Sequence, residues 1–495
     1  MDKDAKRGNY YRAGIAGLAT ALRLAVKGYK ITVIEKHHQA GGRLNTLSKD
    51  GFTFDMGPTF FSMSYEFDKL IDECNIDYPF EFIELDPLFT VNIKGVDKPF
   101  TIYKDIDKLT EQFIEFEPNF KEKITAHLNK TETLYHDTVN HIVHNNFDSL
   151  FDYFTKLTKV PLKHTPLLYK NMWSELCQSF DSQEARMIFS LVGFFLGATP
   201  FDTPAVYSLL NYVELKHDGY HNVKGGMYKI VEGVTGVLKD KGVQFIYNTE
   251  ITGAKAKNGT IDALTDKNGK EWRADAYIIN SDAAWFRGKV LKHKEYREEK
   301  LKRKKWTMAP LTIYLGVKGD IKNLSHHNYF LGNNFNKYAN RVFKNRTDKE
   351  TPYYYVNVQS MSNPNAAPTG HQALFILIPS PHLLYKKDWS DKNEVANRVI
   401  EDLSNKTRCN IMNKIVSKTV FTPYDWRDMF NLYKGSGLGL AHDMSQTGWF
   451  RPANRDKKYK NIFFTGASTI PGTGLPMAVI SSGLTTERVI KHLKK

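Results

Sequence analysis

The chain has 495 residues, with 69 Lys and Arg against 54 Asp and Glu, a formal net charge of +15, 41% hydrophobic and 25% charged residues. These are globular proportions at a length suited to two or three domains, and they exclude a disordered or collagen-like chain. Three widely separated cysteines, Cys74, Cys177 and Cys409, with no CxxC, speak against a disulfide scaffold and a cysteine-bound zinc.

No signal peptide opens the chain and no apolar run is long enough to span a bilayer, so an intracellular protein is expected. The basic surplus calls for an anionic partner. Its densest run, Lys300–Lys305, follows Glu295, Glu298 and Glu299 and reads as a solvated helix face, and no nucleic-acid-reading module accompanies it. Nucleic acid is therefore not expected, and an anionic membrane surface is.

In chain order, Gly14–Lys27 (GIAGLATALRLAVK) places Leu18, Ala21, Leu22 and Ala25 on one apolar helix face, ending at Gly28. Ile31–Ile34 then reads as a buried parallel strand with Glu35 at its end. A small-residue turn, a helix, a buried strand and an acid form a dinucleotide signature. Its glycines admit a diphosphate, its helix N-terminus attracts the negative charge, and its acid accepts ribose hydroxyls. The chain departs from this pattern at Arg12-Ala13-Gly14-Ile15-Ala16-Gly17, where arginine stands at the first glycine position, and at Lys6–Tyr11, which is polar where a buried strand is expected. Codons for Gly8–Arg12, read one base later, can specify Val-Ile-Ile-Ile-Gly, which restores both features. We read the segment as a small compensated frameshift, which resequencing of the source DNA tests.

Gly41-Gly42-Arg43 suits a loop over a diphosphate, its guanidinium supplying a charged contact, and Gly51–Pro58 follows. From about Tyr65 to Asn211 the chain is helix-rich and aromatic. Within it, Met187–Phe201 is expected either as a core helix or as the wall of an apolar substrate tunnel and membrane-facing mouth. His136, His141 and His144 lack a metal-binding pattern and no metal site is expected. Gly225-Gly226-Met227-Tyr228 opens a helix, Val243–Tyr247 with Thr249–Ile251 reads as strand, and Asp275–Asn280 reads as a further buried strand followed by Ser281-Asp282. Gly435–Gly439 lacks a preceding buried strand and is expected as a loop lining the cofactor or substrate mouth. Asn461–Gly466 is a buried strand, and Pro471–Pro476 leads into a helix carrying Met477, Ile480 and Leu484. Two anion-binding turns at opposite ends of one chain fit an extended dinucleotide, FAD, with adenine at the first and flavin at the second.

AGIAGLATAL, VIEK, GGRLNT, GFTFDMGPT, KGGMY and FFTGASTIPGTGLPMAV together resemble the bacterial carotenoid desaturases, the phytoene-desaturase-type flavoproteins, over nearly the whole chain. The likeness is nearest to 1-hydroxycarotenoid 3,4-desaturases, with phytoene and diapophytoene desaturases next. It implies an α/β fold: a discontinuous Rossmann-like FAD domain of the glutathione-reductase/amine-oxidase type, built from 1–90, 215–295 and 425–495. The substrate-binding, helical, membrane-associating region would comprise 91–214 and 296–424. It implies an ADP site at Ala13, Gly14, Ala16, Gly17, Glu35, Lys36, Gly41, Gly42 and Arg43, with Gly57 and Pro58 nearby and Ile251 touching the adenine through its backbone. Gly466, Ala467, Gly474, Leu475, Pro476 and Met477 would lie along the isoalloxazine.

The resemblance further implies a carotenoid substrate, hydride transfer to flavin, oxygen or a quinone as electron acceptor, and a cytoplasmic protein held peripherally on the inner face of the cell membrane. The segment Phe151–Phe201 is the expected membrane contact, with Phe194 and Phe195 in it. Desaturation demands no dedicated acid/base pair, and no catalytic residue is singled out; Asp55 and Asp282 are expected to be structural. A carotenoid oxygenase or an amine oxidase would use the same scaffold. A non-catalytic lipid-binding relative would tolerate Arg12.

Overall fold

The computed structural model describes residues 7–342 and 350–494, with the backbone alone for 7–11; the expected strand's Lys6 lies outside them. Strands β1 (Arg7–Tyr11), β2 (Lys30–Ile34), β3 (Gln244–Ile246), β4 (Ala276–Ile279) and β5 (Ile462–Phe464) form one parallel sheet in the order β5-β4-β1-β2-β3. Stretches 1–90, 215–295 and 425–495 thus all contribute strands to it. Every residue of β4 and β5 is buried, as a parallel sheet covered on both faces requires. The polar RGNYY segment forms β1 all the same. It lies at the centre, with Tyr11 in register with Ile34 on one side and Ile279 on the other, so ladder partners on both edges override weak strand propensity.

Helix α1 (Ile15–Ala25) follows β1 directly and ends before Gly28, which has φ +83°. The sequence suggested one apolar face, but Ile15 through Leu24 are all buried. The reason is a second layer: the C-terminal helix α2 (Leu475–Leu493) packs along α1, and Arg23 reaches the Ser482 hydroxyl and the Glu73 carboxylate.

A seven-stranded sheet carries the other half of the molecule, in the order Ile415–Phe421, Ala309–Lys318, His371–Ser380, Tyr354–Val358, His327–Leu331, Phe89–Ile93, Phe100–Ile102. Only the pair Phe89–Ile93 with His327–Leu331 is parallel. Alternation along its strands sorts the side chains. Leu311, Ile313, Leu315 and Ile376 join a core with Val399, Ile400 and Leu403 of the helix Lys392–Thr407. Tyr314, Tyr329, Tyr355 and Phe375 join the core that includes Phe189 and Val192 of the helical region. Met187–Phe201 is not one helix. It breaks between Gln183–Phe189 and the single turn Val192–Phe195, and Gly197 at φ +75° turns the chain back. Among the described residues no helix is long and apolar enough to cross a membrane.

Candidate functional site

The turn from β1 into α1 is built around Glu35, 2% exposed at the end of β2. Its Oε2 accepts the Ala13 amide at 2.8 Å and its Oε1 accepts the His37 amide at 3.0 Å, so the expected ribose acceptor also ties this turn to the next loop. The N-cap Gly14 supplies no side chain to α1, and with the Gly17 amide taken by Asn280 the Ile15 and Ala16 amides stay available to an anion. Gly14 and Gly41 bridge, and a Cβ on Gly42 would stand 3.2 Å from the Gly14 Cα. Gly41 has φ +122°, and a Cβ there would stand 2.2 Å from the Leu44 carbonyl oxygen. Only glycine fits there. Arg43 donates to the Gly437 carbonyl at 2.7 Å, drawing the Gly435–Gly439 loop over the site, and faces the buried Asp282.

At the other end, Gly466 (φ +93°) follows β5, and its amide donates to the Ser481 hydroxyl at 2.9 Å. Gly474 (φ +119°) precedes α2, which likewise has no capping side chain. Arg451, wholly buried, donates to the carbonyls of Ala467 and Thr469 and holds the Gly466–Thr469 turn closed; burial lowers its guanidinium to about 10.

Asn280, one residue past β4, joins the two ends. Its Oδ1 accepts the Gly17 amide at 3.2 Å and its Nδ2 donates to the Thr465 carbonyl at 3.0 Å. Sequence reading passed over Asn280, although it stands where ligands of parallel sheets gather, at a strand's carboxyl end. Arg451 and His442, whose imidazole lies under Gly472, left no sequence signal. Asn280→Ala is expected to cost about 2–3 kcal/mol through the two unpaired backbone groups and to lower the flavin-to-protein ratio. A thermal melt and an absorbance spectrum check both, and unchanged values would remove Asn280 from this role.

Both turns open into a single cavity of about 910 Å³. Of the expected cofactor residues, Gly14, Ala16, Glu35, Gly41, Gly42, Arg43, Gly57, Pro58, Gly466, Ala467, Gly474, Leu475, Pro476 and Met477 line it. Ala13 and Gly17 stand just behind its wall. Lys36 turns away to the Asp428 carbonyl and the Asn431 amide, and burial, with the Arg12 charge second, lowers it to about 8. Ile251 is buried against Ile34 and Phe464 in a separate core, off the cavity wall. Asp55, raised by burial to about 6, accepts the Met227 and Tyr228 amides, and Asp282 caps the turn Ala283–Trp285. Among the described histidines, His136 bonds Tyr212 and His144 pairs with Glu66, and no group of residues that could hold a metal is present among the described residues.

The glycine cradles and uncapped helix ends fit a dinucleotide diphosphate; Arg12 does not. It lies at φ +71°, buried, with its guanidinium on the Phe430 carbonyl and over Trp285, and with Nε and Nη2 unpartnered. Away from the turns the wall becomes apolar, with Leu191, Phe194, Phe195, Leu196, Leu331 and Leu377. It reaches Phe154, Leu162 and Tyr169, which are strongly exposed and mark where the cavity meets solvent.

Residues 15–490 match the model of the flavin-containing amine oxidoreductases. The chain is 31% identical to a zeta-carotene-forming phytoene desaturase of Myxococcus xanthus, across 97% of this chain and 92% of that one. It is 29% identical to a carotenoid 3,4-desaturase of Haloarcula japonica, across 97% of each. An oxidoreductase from Methanosarcina mazei shares the fold, with a TM-score of 0.66 at 14% identity over 97% of this chain and all of that one.

Proposed function

The chain belongs to the flavin-containing amine oxidoreductases, and within them to the phytoene-desaturase-type carotenoid desaturases, and on that premise we propose that it desaturates the 3,4 bond of a 1-hydroxycarotenoid. It is an FAD-dependent oxidoreductase. The observation that carries the finer reading is the cavity: two dinucleotide turns open into a long apolar chamber whose wall includes a few uncompensated polar groups.

Bound FAD supplies a two-electron acceptor for a hydride. The residues named above would hold it, Gly14, Gly41 and Gly42 at the diphosphate and Gly466–Met477 along the ring system. The protein's own part is to align the polyene and exclude water. Leu191, Phe194, Phe195 and Leu196 make an apolar wall suited to a conjugated chain. Forming the double bond removes a hydride and a proton from adjacent carbons. The positive charge left between the two losses is delocalised along the polyene, so a strong base is not required. Oxygen or a quinone serves as the final electron acceptor.

The substrate arrives from lipid. Phe154, Leu162 and Tyr169 are exposed at the rim where the cavity opens, Leu150 and Phe151 are exposed on the same helix as Phe154, Leu150–Leu157, and Lys159, Lys163 and Lys170 are exposed among them. We place this rim on the inner face of the cell membrane, its apolar tips among acyl chains and its lysines at acidic headgroups. Phe194 and Phe195 are not part of it: they are half-buried, packed on Phe335, Tyr338, Phe60 and Tyr220.

The test is product analysis. Flavin-loaded protein with an acyclic 1-hydroxycarotenoid in liposomes is expected to give a product lighter by two hydrogens, with the new double bond at the 3,4 position by NMR. A new bond elsewhere would assign another carotenoid desaturation. A gain in oxygen mass would assign an oxygenase.

A further inference from the structure

The apolar chamber contains one carboxyl group with nothing to neutralise it. Glu214 stands on the turn Val213–His217, is 7% exposed and lines the cavity, and its one polar partner is the Tyr220 hydroxyl, which acts on it without a hydrogen bond of ordinary geometry. No lysine, arginine or histidine acts on it; the Tyr220 hydroxyl is the polar group nearest in effect. That hydroxyl is buried and also without a hydrogen-bond partner. Tyr329, the next phenol to feel the Glu214 carboxyl, lines the same stretch of wall. The surrounding rings fix these groups in place: Phe60 lies 4.4 Å from Tyr220 between centroids, and Phe89 packs on both Tyr220 and Tyr329.

A hydrocarbon in this chamber would leave the Glu214 carboxyl and the Tyr220 hydroxyl without a good partner, at a desolvation cost. Several neighbouring polar groups are better satisfied, although His327 Nε2 has no partner. Tyr355 is bonded to Thr59 and His327, and Asn222 donates to the Thr59 carbonyl. Other buried atoms on the cavity wall also lack partners, Ser281 Oγ, the Tyr353 hydroxyl and His442 Nδ1 among them, but Glu214 is the wall carboxyl left so: Glu35 accepts the Ala13 and His37 amides and Asp282 caps its turn.

We propose that Glu214, with the hydroxyls of Tyr220 and Tyr329, binds a hydroxyl group carried by the polyene and thereby selects a hydroxylated carotenoid over the hydrocarbon of the same chain. The proposal rests on the carotenoid-desaturase reading and names the residues that choose its substrate. Burial raises Glu214 to about 8, so at neutral pH it presents one donor and one acceptor. An alcohol satisfies both, because it donates to the carboxyl oxygen and accepts from the acid or a phenol. A carbonyl oxygen would leave the acceptor unpaired.

The experiment uses the full-length, flavin-loaded protein and two probes in liposomes: an acyclic carotenoid with a tertiary hydroxyl, and the hydrocarbon of equal length and unsaturation. Two ratios are measured for each variant, that of kcat/KM and that of Kd by quenching of tryptophan fluorescence. Wild type is expected to favour the hydroxylated probe by about 10–100-fold. In Glu214→Leu the preference falls to within about threefold of unity, Tyr220→Phe lowers it about fivefold, and Glu214→Gln, which retains a donor and an acceptor, keeps most of it. Equal treatment of both probes by wild type overturns the proposal. So does an unchanged preference in Glu214→Leu, or a loss of turnover in Glu214→Gln that is the same for both probes, which would make the carboxyl a proton acceptor. If neither probe is desaturated by wild type, the desaturase reading fails, and the Kd ratio still decides the hydroxyl site.

Discussion

Arg12→Gly is expected to bind FAD at least about tenfold more tightly than the chain as written, through removal of about 1–2 kcal/mol of left-handed backbone cost and the burial of a poorly satisfied guanidinium. The structure places Arg12 at φ +71° with Nε and Nη2 unpartnered. Its charge lies close enough to Lys36 and Arg43 to disfavour their charged forms, so three cations crowd one turn. Glycine at position 12 relieves the backbone, the crowding and the occupied volume together. Titration of the apoprotein with FAD, followed by flavin fluorescence, measures the effect. Tighter binding by wild type would mean that the guanidinium instead holds the diphosphate. Resequencing Gly8–Arg12 addresses the same point from the DNA: a reading frame giving an apolar strand and a glycine explains the departure, and its absence makes Arg12 a genuine feature.

The combined variant Phe151→Ser, Leu162→Ser and Tyr169→Ser is expected to bind acidic liposomes about a hundredfold more weakly. These three side chains are 81%, 85% and 87% exposed, so their removal costs the fold little. Half-burial of each in acyl chains is worth about 1 kcal/mol, or about 3 kcal/mol together, and 1.4 kcal/mol is tenfold in partition. Flavin content and thermal stability are expected to match wild type because none of the three supports the nucleotide turns. Undiminished sedimentation with liposomes would move the contact to another face. Raised salt is expected to weaken binding further through Lys159, Lys163 and Lys170.

Local pattern disclosed the nucleotide half of the molecule well. Small residues at Gly14, Gly41, Gly42 and Gly466 mark places where a Cβ meets backbone or a fixed side chain, a constraint that composition alone expresses. The strands Lys30–Ile34, Ala276–Ile279 and Ile462–Phe464 were legible because burial on both faces demands unbroken apolar runs. β1 was expected from the order of the motif alone, since its strand state comes from its two neighbours rather than from its own residues. The half-buried placement of Phe194 and Phe195 was not legible for a related reason. An apolar run does not say whether it faces lipid or core, and here Phe335 and Tyr338 pack on Phe194, and Phe60 and Tyr220 on Phe195. Glu214 was invisible as well. Its significance is a lack of partners, which only the folded neighbourhood of Tyr220 and Tyr329 defines.

The most direct test of the account is to mix flavin-loaded protein, without oxygen, with an acyclic hydroxycarotenoid in liposomes and follow the flavin band near about 450 nm. The account predicts that the band bleaches as carotenoid two hydrogens lighter appears, in equal amounts. A band that persists while the carotenoid mass stays unchanged, in protein with a full complement of flavin, would contradict it.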